Sequence, residues 1–216
     1  MYRPGKDKGI ASPMPLGLAG LASTTFLIGV GAIFQAPAAW TPYVLQALLF
    51  GGLIELLAGI WAFAYGDAMA ATAFSFLAAF NIWWGLAHSA FLGAHAATSI
   101  ESMGLVFIVS GVVVLYLWVA SFYESATFNL VLLFLWIGYG LVGISMMTRA
   151  EAIGVIGGIA AVISGLIAAY GSFAEIYNAT ALMEVIPLGE PAAIRERSRH
   201  EEEERIRRLH PIEHHA

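Results

Sequence analysis

The sequence predicts an all-α membrane protein, a bundle of six transmembrane helices. Its composition comes first: 59% of the 216 residues are hydrophobic and only 12% are charged, where a soluble domain carries about 25% charged residues. Mean hydropathy is +0.77. The second observation is length. The apolar residues fall into stretches of about 20, enough to cross a ~30 Å hydrocarbon core at ~1.5 Å per residue. The third is glycine, with 23 residues. Glycine is costly inside soluble helices, but in lipid it lets helix backbones approach closely.

The expected spans run from Leu16 to Phe34, Val44 to Tyr65, Ala68 to about Leu92, Met103 to Phe122, Ala126 to Met147, and Ala152 to about Phe173. β-Barrel strands would alternate over segments of about 10 residues, and these stretches do not. Helix stops separate the spans. Pro37 and Pro42 follow the first, Gly66-Asp67 the second, Ser121 to Ser125 the fourth, and Arg149 to Glu151 the fifth. Such short connections place sequential helices antiparallel in one bundle. Trp40, Tyr43, Tyr65, Trp118 and Tyr123 suit headgroup level.

Nine of the ten Lys and Arg residues lie in the two tails. An even number of spans puts both tails on one side, and positive charge makes that side cytoplasmic. The expected organisation is a cytoplasmic segment 1–14, a transmembrane domain 15–176 and a charged cytoplasmic tail 177–216. In the tail, Arg195 to Leu209 alternates Glu and Arg at helical spacing, as a solvated helix or disordered tail would. There are no cysteines, which excludes disulfides and thiolate metal sites.

Polar residues inside the spans are few and costly. Glu55 sits near the middle of the second span. Asn81 and His88 share one face of the third. Thr24 and Thr25 lie in the first. Glu55 reads either as a carboxyl that binds and releases a proton or as a structural group bonded to a neighbouring helix. His88 reads as an ordinary interfacial histidine. No nucleophile constellation, P-loop or dinucleotide pattern appears, and no His/Asp/Glu cluster in the spans has metal spacing. No enzyme, cofactor, metal or nucleic-acid partner is therefore expected. The partners expected are a small solute and the lipid bilayer.

Ser12-Pro13-Met14-Pro15-Leu16-Gly17-Leu18 is the most unusual run. Two prolines spaced by one residue can begin a helix but not continue one. Ser12 is an acceptable N-cap. The free N–H groups of such a start favour an anion if the turn lies inside the bundle; otherwise the prolines only mark membrane entry.

This run resembles the Asn-Pro-Ala-Pro-Leu-Gly-Leu signature of the acetate uptake transporter family. Thr24-Thr25, Phe50 to Gly59, Gly66-Asp67, Thr72-Ala73-Phe74 and Val185 to Glu190 resemble further family motifs, in the right order. The resemblance implies a six-helix bundle enclosing its own pathway, assembly as a homo-hexamer, and uptake of acetate and sometimes succinate, often with a proton. Thr24, Thr25, Glu55 and Phe80 match motif positions. Ser12 replaces the signature Asn and Glu55 a Gln. Ala62 stands where many members carry Glu, Leu77 where many carry Tyr, and Asn81 where Trp is usual. The expected pathway residues are Ser12, Pro13, Pro15, Leu16, Gly17, Thr24, Thr25, Glu55, Leu77, Phe80 and Asn81. A small carboxylate is the first expected solute. A neutral solute such as the undissociated acid, urea or ammonia is the second, and a non-transporting scaffold or sensor the third.

Overall fold

A computed structural model describes residues 9–35, 45–88, 99–189 and 191. The end of the third expected span, Trp40, Tyr43 and the charged stretches of both tails lie outside these residues. Six helices are long and apolar enough to cross a membrane, so the chain is a multi-pass membrane protein. They are α1 (Met14–Phe34), α2 (Ala47–Tyr65), α3 (Ala68–His88), α4 (Ile100–Ala120, extended by a 3₁₀ turn Ser121–Tyr123), α5 (Ala126–Thr148) and α6 (Glu151–Ala181).

The helices pack in chain order around a ring, and α6 closes it against α1. The most extensive contacts are α1–α6, α5–α6 and α4–α5, whereas α3 touches α4 only thinly. Glycine explains the tight seams. A Cβ at Gly29 would meet Gly158 O at 2.6 Å, and one at Gly158 would meet Gly29 O at 2.7 Å. Gly104 and Gly143 oppose each other in the same way across α4–α5, where a Cβ on either would lie 2.7 Å from the other's carbonyl oxygen. Backbone lies on backbone here, and dispersion between closely packed chains holds the helices where lipid offers no hydrophobic drive. Ser164 adds a hydrogen bond across α5–α6, its hydroxyl donating to Val131 O at 2.8 Å.

The turns follow the sequence signals. Gly66, at φ 89°, ends α2, and its N–H bonds Ala62 O and Phe63 O. Ser99 and Ser125 cap α4 and α5 through their side chains. Two features go beyond the sequence reading. The first eight residues of α2, Ala47–Ile54, form π-helix before α-helix resumes over Glu55–Tyr65. The last helix also runs to Ala181, well past Phe173, because Glu175 and Asn178 continue its turns without breaking them. Residues 182–189 then fold back on the bundle. Asn178 Oδ1 accepts from the Val185 and Ile186 N–H groups at 2.8 Å each. Leu188 O receives the Thr127 N–H at 3.0 Å and the Thr127 hydroxyl at 2.8 Å, and so caps the start of α5.

Candidate functional site

Three expected pathway residues from three helices meet inside the ring. Glu55 is fully buried at the point where the π-helical part of α2 gives way to α-helix. Thr24 Oγ1 of α1 lies 3.3 Å from Glu55 Oε1, and Asn81 Nδ2 of α3 donates to Glu55 Oε2 at 3.5 Å. Thr24 and Asn81 are themselves 2% and 1% exposed. Glycine makes this convergence possible. A Cβ at Gly51 would fall 2.5 Å from Asn81 Cγ and 2.6 Å from Thr24 Cγ2, and one at Gly20 would fall 2.9 Å from Glu55 Cγ. The π-helical turns put Gly51 and Gly52 against α1 and α3, and π geometry is frequent at functional sites.

Among the described residues no cation compensates Glu55. Among the described residues the single Lys or Arg is Arg149, which bonds Glu101 at the opposite end of α5 from Thr127. Two buried polar atoms near this level have no hydrogen-bond partner, Asn81 Oδ1 and Thr25 Oγ1. Such atoms cost free energy unless something satisfies them, about 1–3 kcal/mol each.

The thin α3–α4 seam is filled by rings. Phe80 lies 4.7 Å from Tyr139 of α5 and 5.0 Å from Phe107 of α4, centroid to centroid. Trp84 stands edge-on to Phe107 at 5.2 Å, with its Nε1 buried and unpartnered. Phe80 directly precedes Asn81 in α3, so the aromatic cluster lies beside the polar trio. A crevice lined by Thr24, Leu27, Ile28, Gln46 and Ala47 approaches the trio but leaves no room for a water molecule. The arrangement is closed.

The other expected residues take different places. Leu77 is fully buried on α3, one turn before Asn81. The proline run joins helices. Ser172 of α6 donates to Pro15 O at 2.7 Å, and Gly17 lies under the Phe74 ring. α1 begins at Met14, with Pro13 rather than Ser12 at the cap position. The Ser12 hydroxyl nevertheless accepts the Met14 N–H at 3.3 Å. Pro15 has no N–H, and Gly17 N–H bonds Pro13 O. That leaves only Leu16 N–H in this first turn for an anion, and Leu16 is 40% exposed on the outer surface. The turn is thus largely used up by packing. His88 bonds its own helix, with Nδ1 2.8 Å from Trp84 O. Phe107, Tyr139 and Trp84 do not stand out in the sequence, because single aromatics are ordinary in membrane spans. Phe80, next to Asn81, is the one signal of the cluster.

Residues 1–190 match the GPR1/FUN34/yaaH family, and the chain belongs to that family, as the motifs around Ser12, Glu55 and Val185 indicate. Acetate permease A of Emericella nidulans is 39% identical over 77 residues, 35% of this chain and 26% of that protein. Ammonia transport outward protein 2 of Saccharomyces cerevisiae is 39% identical over 75 residues, 34% of this chain and 26% of that protein. The chain thus spans about a quarter of the length of the curated relatives it matches. The fold is that of the bacterial acetate channel SatP, with a TM-score of 0.77 at 24% identity over 83% of this chain and 99% of that structure.

Proposed function

We propose that this chain carries acetate, or a similar small monocarboxylate, across a membrane through the ring of each subunit, with succinate as a larger cargo. The observation that carries the reading is the convergence of Thr24, Glu55 and Asn81 at a single buried point beside the Phe80 ring. Polar groups from three helices gathered inside an apolar bundle serve either fold specificity or a passing solute. The unpartnered Asn81 Oδ1 favours the solute. The names of the two relatives and of the SatP structure support a small-solute cargo.

In this reading Thr24, Glu55 and Asn81 bind the solute in transit. Phe80, with Phe107 and Tyr139, is the plug whose rotation opens the way. The process moves a solute and transforms none. We place the protein in the plasma or inner membrane, with both termini cytoplasmic and with proton coupling through the buried carboxyl. Homo-hexameric assembly is part of the proposal. The apolar outer faces of α2 and α4, where Leu53, Leu57, Val109 and Val112 are all more than half exposed, are available to lipid or to neighbouring subunits.

The test is uptake of labelled acetate into proteoliposomes, corrected for protein-free vesicles. Uptake should rise as pH falls and drop about tenfold in Asn81→Leu, which deletes the solute's polar partner inside the span. Uptake equal to that of protein-free vesicles contradicts the proposal.

A further inference from the structure

Three buried polar atoms around the trio have no hydrogen-bond partner: Thr25 Oγ1, Asn81 Oδ1 and Trp84 Nε1. The threonine is the telling case. Ser23, Thr72, Thr148 and Thr180 each donate their hydroxyl to a carbonyl one turn back in their own helix, at 2.8 to 2.9 Å. That is the usual bond of a hydroxyl on a helix. Thr25 does not make it, and its hydroxyl is left to the interior. On α1, Gly20 faces α2, while Ala22, Phe26 and Gly29 face α6. Thr25 falls between these faces with Leu21 and Ile28, on the buried stripe that looks into the ring.

The three atoms differ in kind. Asn81 Oδ1 is an acceptor, Trp84 Nε1 a donor, and the Thr25 hydroxyl can be either. Trp84 follows Asn81 by one turn on the same face of α3. Thr25 follows Thr24, and Thr24 and Asn81 lie against the same point of α2, Gly51. Helices α1 and α3 therefore present their open atoms at one level. A simple carboxylate carries acceptors only. It could take the Trp84 N–H and the Thr25 hydroxyl, and it would leave Asn81 Oδ1 without a donor, which costs free energy. A cargo with a hydroxyl on the carbon next to its carboxyl group supplies that donor. Its hydroxyl end then lies toward Glu55 and its carboxyl end away from it. The space it needs is the space that the Phe80 ring vacates when the proposed plug opens.

We propose that Asn81, with Thr25 and Trp84, selects a small 2-hydroxy monocarboxylate over an alkyl carboxylate of the same size. Asn81 Oδ1 accepts from the hydroxyl of the cargo, while Trp84 Nε1 and Thr25 Oγ1 donate to its carboxyl group. The inference rests on the transport reading above and narrows its cargo.

Glycolate and propionate are the probes, since they differ by a hydroxyl in place of a methyl group. Each is added in rising concentration to the full chain in proteoliposomes taking up labelled acetate at neutral pH, with uptake by protein-free vesicles subtracted. Glycolate should inhibit wild type at about one-fifth of the propionate concentration, the effect of one net hydrogen bond. Asn81→Leu should bring this ratio to about one in the uptake that remains. Trp84→Phe removes the N–H that both acids share, so both should inhibit more weakly while the ratio stands. A wild-type protein that prefers propionate, or treats the two alike, overturns the selection, and this comparison needs no variant to fold. So does an Asn81→Leu variant that keeps the wild-type ratio. If labelled acetate enters no faster than in protein-free vesicles, the transport reading itself falls, and the selection with it.

Discussion

The two sides of the ring are built in opposite ways. From α1 through α6 and α5 to α4, glycines bring backbone against backbone. Gly29 faces Gly158 and Gly104 faces Gly143, so closely that a Cβ on any of them would stand 2.6 to 2.7 Å from the opposite carbonyl oxygen. Between α3 and α4 the backbones stand apart, and Phe80, Trp84, Phe107 and Tyr139 fill the interval. A glycine seam has one packed arrangement, because nothing in it can rotate. An aromatic seam can be emptied by a change of rotamer. In the proposed reading, rigidity and passage fall to different helix pairs, and the polar trio belongs to the aromatic side.

The largest effect should come from breaking the rigid side. Gly158→Leu forces a side chain into space occupied by the Gly29 carbonyl, and overpacking of this kind costs roughly 3 kcal/mol or more where backbone must move. The variant should be lost from the monodisperse fraction in size-exclusion chromatography in mild detergent. A normal profile would show that α1 and α6 are looser than the structure has them.

A smaller loss of stability, with a gain in passage, is expected on the other side. Phe80→Ala removes the ring between Phe107 and Tyr139 and should lower stability by about 3 kcal/mol. Solute flux in proteoliposomes should nevertheless rise. Unchanged or reduced flux from a folded variant would remove the aromatic seam from the pathway and leave it as core.

The smallest effect lies outside the spans. Burial, and then the nearby Asp67 carboxylate, hold the Glu124 carboxyl above its ordinary range. A group whose folded value is raised favours folding while it is protonated. Its contribution is full below the unfolded value, about pH 4.3, and is lost as pH rises through the folded value. At neutral pH the ionised Glu124 therefore opposes folding. Glu124→Gln should stabilise the protein slightly there, by less than about 1 kcal/mol after solvent screening, read as a small rise in melting temperature. The gap should close as pH falls towards about 4. A gap independent of pH would mean that the charge of Glu124 plays no part in it.

Much of this contrast is legible in the sequence, for physical reasons. Apolar length and the helix stops at Gly66 and Arg149 reveal the spans, since lipid allows almost no other solution. Glu55, Thr24 and Asn81 stand out because polar groups are rare in such spans. Their convergence cannot be read, since it depends on which faces of α1, α2 and α3 meet. The π-helical Ala47–Ile54 is equally hidden. It is a product of packing at Gly51 and Gly52 and has no local signature. Helix α6 reads short because its apolar run thins out near Phe173, whereas the helix continues to Ala181 and its Asn178 anchors the returning segment at Val185 and Ile186. The Ser12–Gly17 run has the look of an anion site, yet its groups mostly join α1 to α3 and α6.

If the ring opens to solute on its Asn81 side and stays shut on its glycine side, the two sides should differ in their access to water. A chain without cysteine lets that be measured, by placing a single cysteine at Asn81 or at Ser164 of the α5–α6 seam and following its reaction with a small, charged, membrane-impermeant thiol reagent. Asn81→Cys should react, its reaction should block flux, and excess acetate should slow it, while Ser164→Cys stays inert. Equal reaction at both positions, or an inert Asn81→Cys in a protein that still transports, would rule out a passage on the Asn81 side.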